Sequence, residues 1–445
     1  MNSFWSATLE QTIKNSEKFS ASNLTSNDVT DWLLTYAESS PTSSNQGTAK
    51  LPFQRWFHFK EAFSPKFVTD TLSSLPYQIN NCLDPFSGSG TTAVTCRMLG
   101  INSEGVEVNP FLADLIEAKL TNLPVSDFCS NYEKLITNLN LESTDFELTH
   151  GMPLTLIEPG VKEKYVFNRE VFSTIKAIVR SSDSLPPDQA RLLKVLLGSV
   201  LVENSNVIIN GKGRRYRRNW RDRNQTSQDL IESLDAAIDM AATDLTKFSG
   251  VPSSSHIIHR GDSRVALSKV RSADVAIFSP PYPNSFDYTD VYNLELWMLG
   301  YLNSSQDNKN LRHSTLRSHV QTKWTLSESN VQSPLLQDTL SELIKHRSEL
   351  WNANIPEMVG LYFEDLWSIF FQLKRILQPG HHAVVAIGDS QYAGVHIDVG
   401  TILAQSVESL GFRVTEHGAI RSMRNSSQHG GRFELAEHCL VFERY

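Results

Sequence analysis

Asp84-Pro-Phe-Ser-Gly-Ser-Gly-Thr-Thr92 and Ser279-Pro-Pro-Tyr282 decide how this chain is read. The first follows a short apolar run ending in Cys82 and Leu83. That run reads as a buried strand stopped at Asp84-Pro85, because proline cannot continue a central ladder. Gly88 and Gly90 open backbone angles closed to other residues and let a ligand approach the main chain. Thr91 to Leu99 carries apolar side chains at Ala93, Val94, Met98 and Leu99, which suits a helix lying on a sheet. The free amides at its N-terminus suit a carboxylate or a phosphate. A second strand is expected over Ser103 to Val108, with Glu107 well placed to bind ribose hydroxyls. Read alone, the string leaves alternatives open. Gly88-Ser-Gly-Thr-Thr-Ala93 also fits a dinucleotide fingerprint with an acidic residue about 20 positions on, and an ordinary Gly-rich turn would look the same.

The second string narrows the choice. Asp274-Val-Ala-Ile-Phe278 is a compact apolar strand, and Ser279 to Tyr282 leaves its carboxyl end, the edge where open α/β sheets bind ligands. Two successive prolines hold Ser279 and Tyr282 in a preset relation with little further entropy lost on folding. A Pro-rich strand exit is the plain alternative, but it leaves the pairing with the Gly-rich turn unexplained.

With both strings in place, the chain resembles the amino-methyltransferases that modify the exocyclic amine of cytosine or adenine in DNA. DPFSGSGTT resembles the family's cofactor loop, with Asp84, Phe86, Gly88 and Gly90 at matching positions. Glu107 in GVEVNP is similar to the acidic residue on the cofactor ribose, and Asp262 in HRGDSRVAL to the one that contacts the adenine. SPPY resembles the catalytic tetrapeptide, which implies catalytic roles for Ser279, Pro280, Pro281 and Tyr282. Trp56-Phe-His-Phe-Lys-Glu-Ala-Phe63 resembles the element that closes over the methionine end of the donor. The resemblance implies S-adenosylmethionine as cofactor. It also implies an α/β fold of the Rossmann-like class I methyltransferase type: a mostly parallel sheet with a C-terminal antiparallel hairpin, plus helical insertions.

The chemistry asks for these residue types. The lone pair of a nucleobase amine is delocalised into the ring, so the nitrogen is a poor nucleophile. Ser279 and the carbonyl of Pro280 can accept hydrogen bonds from the amine and favour its tetrahedral form, acting where charge develops in the transition state. Tyr282 can stack on a base extruded from the duplex, which is required because the target atom is unreachable inside the stack. The reaction needs neither a metal nor a covalent nucleophile, and the chain has no Pro-Cys dipeptide of the ring-carbon cytosine methyltransferases. In this family serine at the first tetrapeptide position leans toward cytosine N4, whereas Asp or Asn leans toward adenine N6. A serine can donate to a ring nitrogen as well as accept from the amine, while an ionised Asp only accepts. The expected target is therefore cytosine, with adenine, an RNA substrate or a non-catalytic nucleic-acid-binding role as alternatives.

Composition sets the wider expectations. Four cysteines, Cys82, Cys96, Cys129 and Cys439, are scattered without metal-type spacing. The polar N-terminus shows no signal-peptide pattern and no apolar run is long enough for a membrane span, so the cytoplasm is expected. A net charge of −8 excludes a protein that coats nucleic acid everywhere, and basic surface must be local. Lys212 to Arg223 provides it: seven cations, among them Arg214, Arg215, Arg217, Arg218 and Arg221, stand against a single Asp222, with Tyr216 and Trp220 interleaved. Such forks suit phosphates and guanine edges; a solvated basic loop is the plain alternative. A second candidate is the Gly-rich stretch from Arg421 to Arg432, equally readable as a hairpin loop.

The expected organisation is discontinuous. Residues 1–50 form a helical segment and linker, and 51–120 the cofactor-binding part of the catalytic domain. Residues 121–255 form a mainly helical insertion and the expected DNA-recognition region, the insertion from Asn303 to Pro356 being the alternative, with Arg191 to Val202 apolar almost all round and buried. The sheet resumes over 256–302 with the tetrapeptide; 303–356 is a second insertion and 357–445 the C-terminal part. A helix is expected over Leu361 to Leu377, then strands at Ala383 to Ile387, Phe412 to His417 and Cys439 to Phe442. The first insertion falls where this family does not usually carry its recognition region. Double-stranded DNA is the expected partner, with a cognate restriction endonuclease as a possible second.

Overall fold

The computed structural model describes residues 50–139, 149–210, 213–251, 254–325, 329–423 and 435–445. The N-terminal segment expected to be helical thus lies outside the described residues, as does most of the Arg421 to Arg432 stretch. In chain order, helix α1 (Pro65–Ser74) precedes strand β1 (Asn81–Asp84), α2 (Thr91–Leu99), β2 (Asn102–Glu107) and α3 (Pro110–Leu120). The first insertion supplies α4 (Val125–Thr137), α5 (Arg169–Ser182), α6 (Pro187–Val200), a hairpin of β3 (Val207–Asn210) and β4 (Gly213–Tyr216), and α7 (Ser227–Lys247). The sheet continues with β5 (His256–Arg260) and β6 (Val275–Phe278). After α8 (Ser305–Ser314), α9 (Pro334–Lys345) and α10 (Ile355–Ile376) come β7 (His382–Gly388) and a small pair, β8 (Ser390–Tyr392) and β9 (Val395–Ile397). Helix α11 (Val399–Glu408), β10 (Phe412–Met423) and β11 (Leu435–Arg444) close the chain.

Seven strands form one sheet in the order β10-β11-β7-β6-β1-β2-β5. The pairs β1/β2, β1/β6, β2/β5 and β6/β7 are parallel, whereas β11 runs antiparallel to both β7 and β10. The expected mostly parallel sheet with a C-terminal antiparallel hairpin is what the chain forms. Its central strands are buried on both faces, as β6 is at all four positions, and so read as unbroken apolar runs. Chain order reverses between β1 and β6. That is the switch point where a crevice opens beyond the carboxyl ends of the strands, and it brings the two diagnostic strings, 195 positions apart by their first residues (279 − 84), onto neighbouring strands.

One hydrophobic core covers one face of the sheet and draws on both the catalytic segments and the first insertion: Trp56, Phe111, Leu115, Leu193, Leu197 and Leu234 all belong to it. The opposite face packs against α10 and α11 through Phe370, Phe442, Leu403 and their neighbours. Three expectations need correcting. Helix α10 begins at Ile355 rather than Leu361, because Pro356 sits in its first turn, where a missing N–H costs nothing. The terminal strands are longer than expected, since their pairing continues well past the apolar runs that mark them. And the basic cluster lies in a β-hairpin and the turn after it: the β-branched run Val207-Ile208-Ile209 pairs with Arg214 to Tyr216 inside a region otherwise helical.

Candidate active site

The site grows from the turn after β1. Asp84 accepts from the Phe86 amide at 2.9 Å with one carboxyl oxygen and from Thr92 Oγ1 at 2.7 Å with the other. These bonds clamp the loop onto the first turn of α2. Gly88 and Gly90 both hold positive φ, at 51° and 85°. A Cβ on Gly90 would lie 2.9 Å from Ile116 Cγ1, and one on Gly88 3.1 Å from the Phe59 ring, so the loop is compressed between α3 and the Trp56 to Phe63 segment. Gly90 also leaves the N-terminus of α2 without a side-chain cap, so that turn keeps amides for an anion.

Glu107, at the end of β2, joins the loop to the sheet. One oxygen accepts from the Gly88 amide at 2.7 Å and the other from the Asn109 amide at 2.8 Å. Burial pushes its carboxyl up to about 8, with the neighbouring Asp84 adding to the rise and the two amides opposing it. Asp84 is itself raised to about 7 by burial. Asp262 follows β5, caps the short helix Ser263–Ala266 and is forked by Arg264, which reaches on to Asp365.

The tetrapeptide leaves β6 beside these groups. Ser279 Oγ lies 3.3 Å from the Tyr282 hydroxyl, which donates to Glu437 on β11. Pro283 is held from behind by the Tyr392 hydroxyl on its carbonyl at 2.9 Å. Opposite, Phe59 stacks on Tyr292 at 5.4 Å, and the Tyr292 hydroxyl donates to Glu61 at 2.6 Å. Residues 314–319 form a further wall, pinned by the Ser285 amide on the Ser318 carbonyl at 2.9 Å. Together they enclose a cavity of about 360 Å³, lined by Asp84, Phe86, Gly88, Glu107, Asp262 and all four tetrapeptide residues. That volume is in the range of small-molecule sites. Gly90 stands behind the wall, shaping the turn.

The expected site residues therefore converge, apart from the arginines. Arg217 is turned inward, its guanidinium donating to the carbonyls of Ser205 and Val202 at 3.2 and 3.1 Å, and Arg214 is half-buried against the protein. These two act as struts of the hairpin; Arg215, Arg218 and Arg221 remain exposed, the last over the Trp220 ring. The hairpin stands next to the cavity, because Lys60 in the cavity wall donates to the Ile209 carbonyl of β3 at 3.0 Å. Cavity residues outside the strings quoted from the sequence include His319 and Glu437. A carboxylate at an inward-facing position of an apolar strand marks Glu437; nothing local marks His319.

Comparison with known proteins agrees with the geometry. The sequence profile of the DNA methylase family, which groups N6 and N4 methyltransferases, matches residues 6–118. The type II methyltransferase M.BsoBI of Geobacillus stearothermophilus is 25% identical over 446 residues, 88% of this chain and 84% of the relative. M.AvaI of a Nostoc species is 25% identical over 432 residues, 87% and 85% respectively. The chain is thus similar to type II DNA methyltransferases over most of its length. A shorter stretch is similar to M.MjaII of Methanocaldococcus jannaschii, 53% identical over 93 residues, 21% of this chain and 17% of that one. The protein is thus a methyltransferase that uses S-adenosylmethionine. Among the described residues no helix is long and apolar enough to cross a membrane, and no cluster of His, Cys, Asp and Glu could hold a metal.

The cavity fits the donor on three counts: an uncapped helix N-terminus, a loop stripped of side chains at Gly88, and a buried carboxylate at the end of β2. The pH dependence of binding tests the last. Both oxygens of Glu107 can accept from the two ribose hydroxyls only when the carboxyl is ionised, and burial pushes it up to about 8 in the free protein. Donor affinity should then fall on acidification, by about tenfold per pH unit below that value. Calorimetry from about pH 6 to pH 9 should show this slope in the wild type and a flatter, weaker curve for Glu107→Gln; a flat wild-type curve removes Glu107 from the donor site.

Proposed function

We propose that this methyltransferase modifies N4 of cytosine at specific sites in double-stranded DNA, acting on a base extruded into the cavity. The single observation that supports this most is that Gly88 and Glu107 border the same cavity as Ser279, Pro280 and Tyr282. In this reading Asp84, Phe86, Gly88, Gly90, Glu107 and Asp262 hold or shape the donor site, and the bound donor supplies an electrophilic methyl on its sulfonium. Ser279 Oγ and the Pro280 carbonyl accept from the base amine, and Tyr282 offers its ring face to the base. Pro281 keeps the turn rigid. Serine at the first tetrapeptide position favours cytosine over adenine, by resemblance to the family. Alignment of donor carbon and amine in a shielded cavity accounts for much of the rate.

Arg215, Arg218 and Arg221 stand free on the hairpin beside the cavity and suit the phosphate backbone. The first insertion, 121–255, is then the region that meets DNA around the target, and 303–356 lends the cavity wall over residues 314–319. The relatives are named type II methyltransferases. A role in protecting host DNA in the cytoplasm, alongside a cognate restriction endonuclease, follows from that likeness.

Nucleoside mass spectrometry of plasmid from cells expressing the chain tests the reading. N4-methylcytosine is the expected product; N6-methyladenine alone moves the target to adenine, and no modified base removes DNA as the substrate. Replacing Arg215, Arg218 and Arg221 by alanine should weaken DNA binding across sequences and flatten its salt dependence by about one counterion per arginine. An unchanged salt slope takes the hairpin out of the interface.

A further inference from the structure

Glu437 sits on β11 opposite Gly388 of β7, between Leu435 and Cys439 on the same face, and is only 3% exposed. Burying a carboxylate among apolar neighbours is costly unless hydrogen bonds compensate. Glu437 lines the catalytic cavity and accepts the hydroxyl of Tyr282, whose oxygen is 3.3 Å from Ser279 Oγ. Two hydroxyls thus form a chain that ends on a carboxylate.

The ends of this chain set its direction. At one end the Tyr282 hydroxyl donates to Glu437 Oε1. Burial, and next the Glu437 charge, push the Tyr282 hydroxyl well above the usual phenol range, so it keeps its proton. With that hydrogen committed, the Tyr282 oxygen is left to accept, and the donor within reach is Ser279. A serine has one hydrogen. Once it points to Tyr282, both remaining lone pairs are free for the cavity. The amine of a nucleobase presents hydrogens, not an available lone pair, so it needs an acceptor there; a serine hydrogen aimed at it would repel.

We infer that Glu437 is a positioning residue for methyl transfer: by accepting from Tyr282 it fixes the sense of the Ser279–Tyr282 chain, so that Ser279 meets the base amine as an acceptor only. The inference rests on the proposed reading of the cavity as a base site.

The test uses the full chain, plasmid DNA and labelled S-adenosylmethionine. Glu437→Leu, which removes the acceptor, should lower kcat by about 10- to 100-fold, with KM for DNA and donor affinity within about twofold of wild type. Glu437→Gln, which keeps an acceptor but also offers a competing donor, should lie between Leu and wild type. Because Glu437 acts through Tyr282, adding Glu437→Gln to Tyr282→Phe should cost no more than about twofold further. Wild-type kcat in both Glu437 variants, or additive losses in the double variant, overturns the inference and leaves base methylation standing. A wild-type protein that binds the donor but transfers nothing to DNA overturns the base reading, and this inference with it.

Discussion

Ser279→Ala should lower methyl transfer by about 100- to 1,000-fold while donor affinity and thermal stability stay at wild-type values. The size follows from what serine does at the transition state. The amine becomes nucleophilic only as its nitrogen turns tetrahedral and its N–H groups gain positive charge. An acceptor already aimed there is worth most at that moment, since nothing has to reorganise. The selectivity follows from the partners: Ser279 stands at the exit of β6 with its hydroxyl beside Tyr282, whereas Asp84, Glu107 and Asp262 are held by Thr92, the Asn109 amide and Arg264. Its loss opens no core cavity. Incorporation of labelled methyl into DNA, measured with donor calorimetry on the same sample, separates the two effects. Full activity in Ser279→Ala would remove the tetrapeptide from the chemistry.

Asp244→Ala has the largest expected effect on stability. Asp244 lies near the end of α7 in the first insertion, with its side chain 1% exposed, and its partners are Phe53, Arg55 and Trp56 at the start of the catalytic segments. One oxygen accepts from the Phe53 amide at 3.0 Å, Arg55 Nε at 3.2 Å and the Trp56 indole at 2.9 Å, and Arg55 pairs with the other. Removing it leaves a buried amide, an indole N–H and a guanidinium without their acceptor, which costs about 3–5 kcal/mol for a broken buried pair. Asn keeps one acceptor and should cost less, about 1–3 kcal/mol. Denaturant unfolding with an unchanged m-value measures both. Because Trp56 begins the segment that carries Phe59 onto Gly88, donor affinity should fall in the same order. An Asp244→Ala protein that unfolds at the wild-type midpoint would show that the insertion helix does not brace the donor site.

Asp244 and Glu437 also mark where the sequence stops being legible. The turn at Asp84 to Thr92, the stop at Ser279-Pro-Pro and the helix over Thr91 to Leu99 depend on rules that act within a few residues: proline ending a ladder, glycine at positive φ, apolar spacing. Those rules are written in the local string, so the strand–turn–helix opening and both halves of the site could be read before any coordinates. The basic cluster was visible too, as charge, but charge does not say which guanidinium faces water. Arg217 turns inward because the carbonyls of Val202 and Ser205 lie within its reach once the hairpin forms.

What the amino-acid string determined by itself is the α/β class, the Gly-rich turn at Asp84 to Thr92 and the rigid exit at Ser279 to Tyr282, because each rests on backbone preferences of neighbouring residues. What only the folded chain decided is company. Glu437 reaches Tyr282 across 155 positions because β11 inserts between β7 and β10, and Asp244 reaches Trp56 across 188 because α7 packs under the cavity wall. Such pairs leave no periodic trace in either segment; their partners are chosen by the sheet order and by the shared core, which exist only after the long loops have closed.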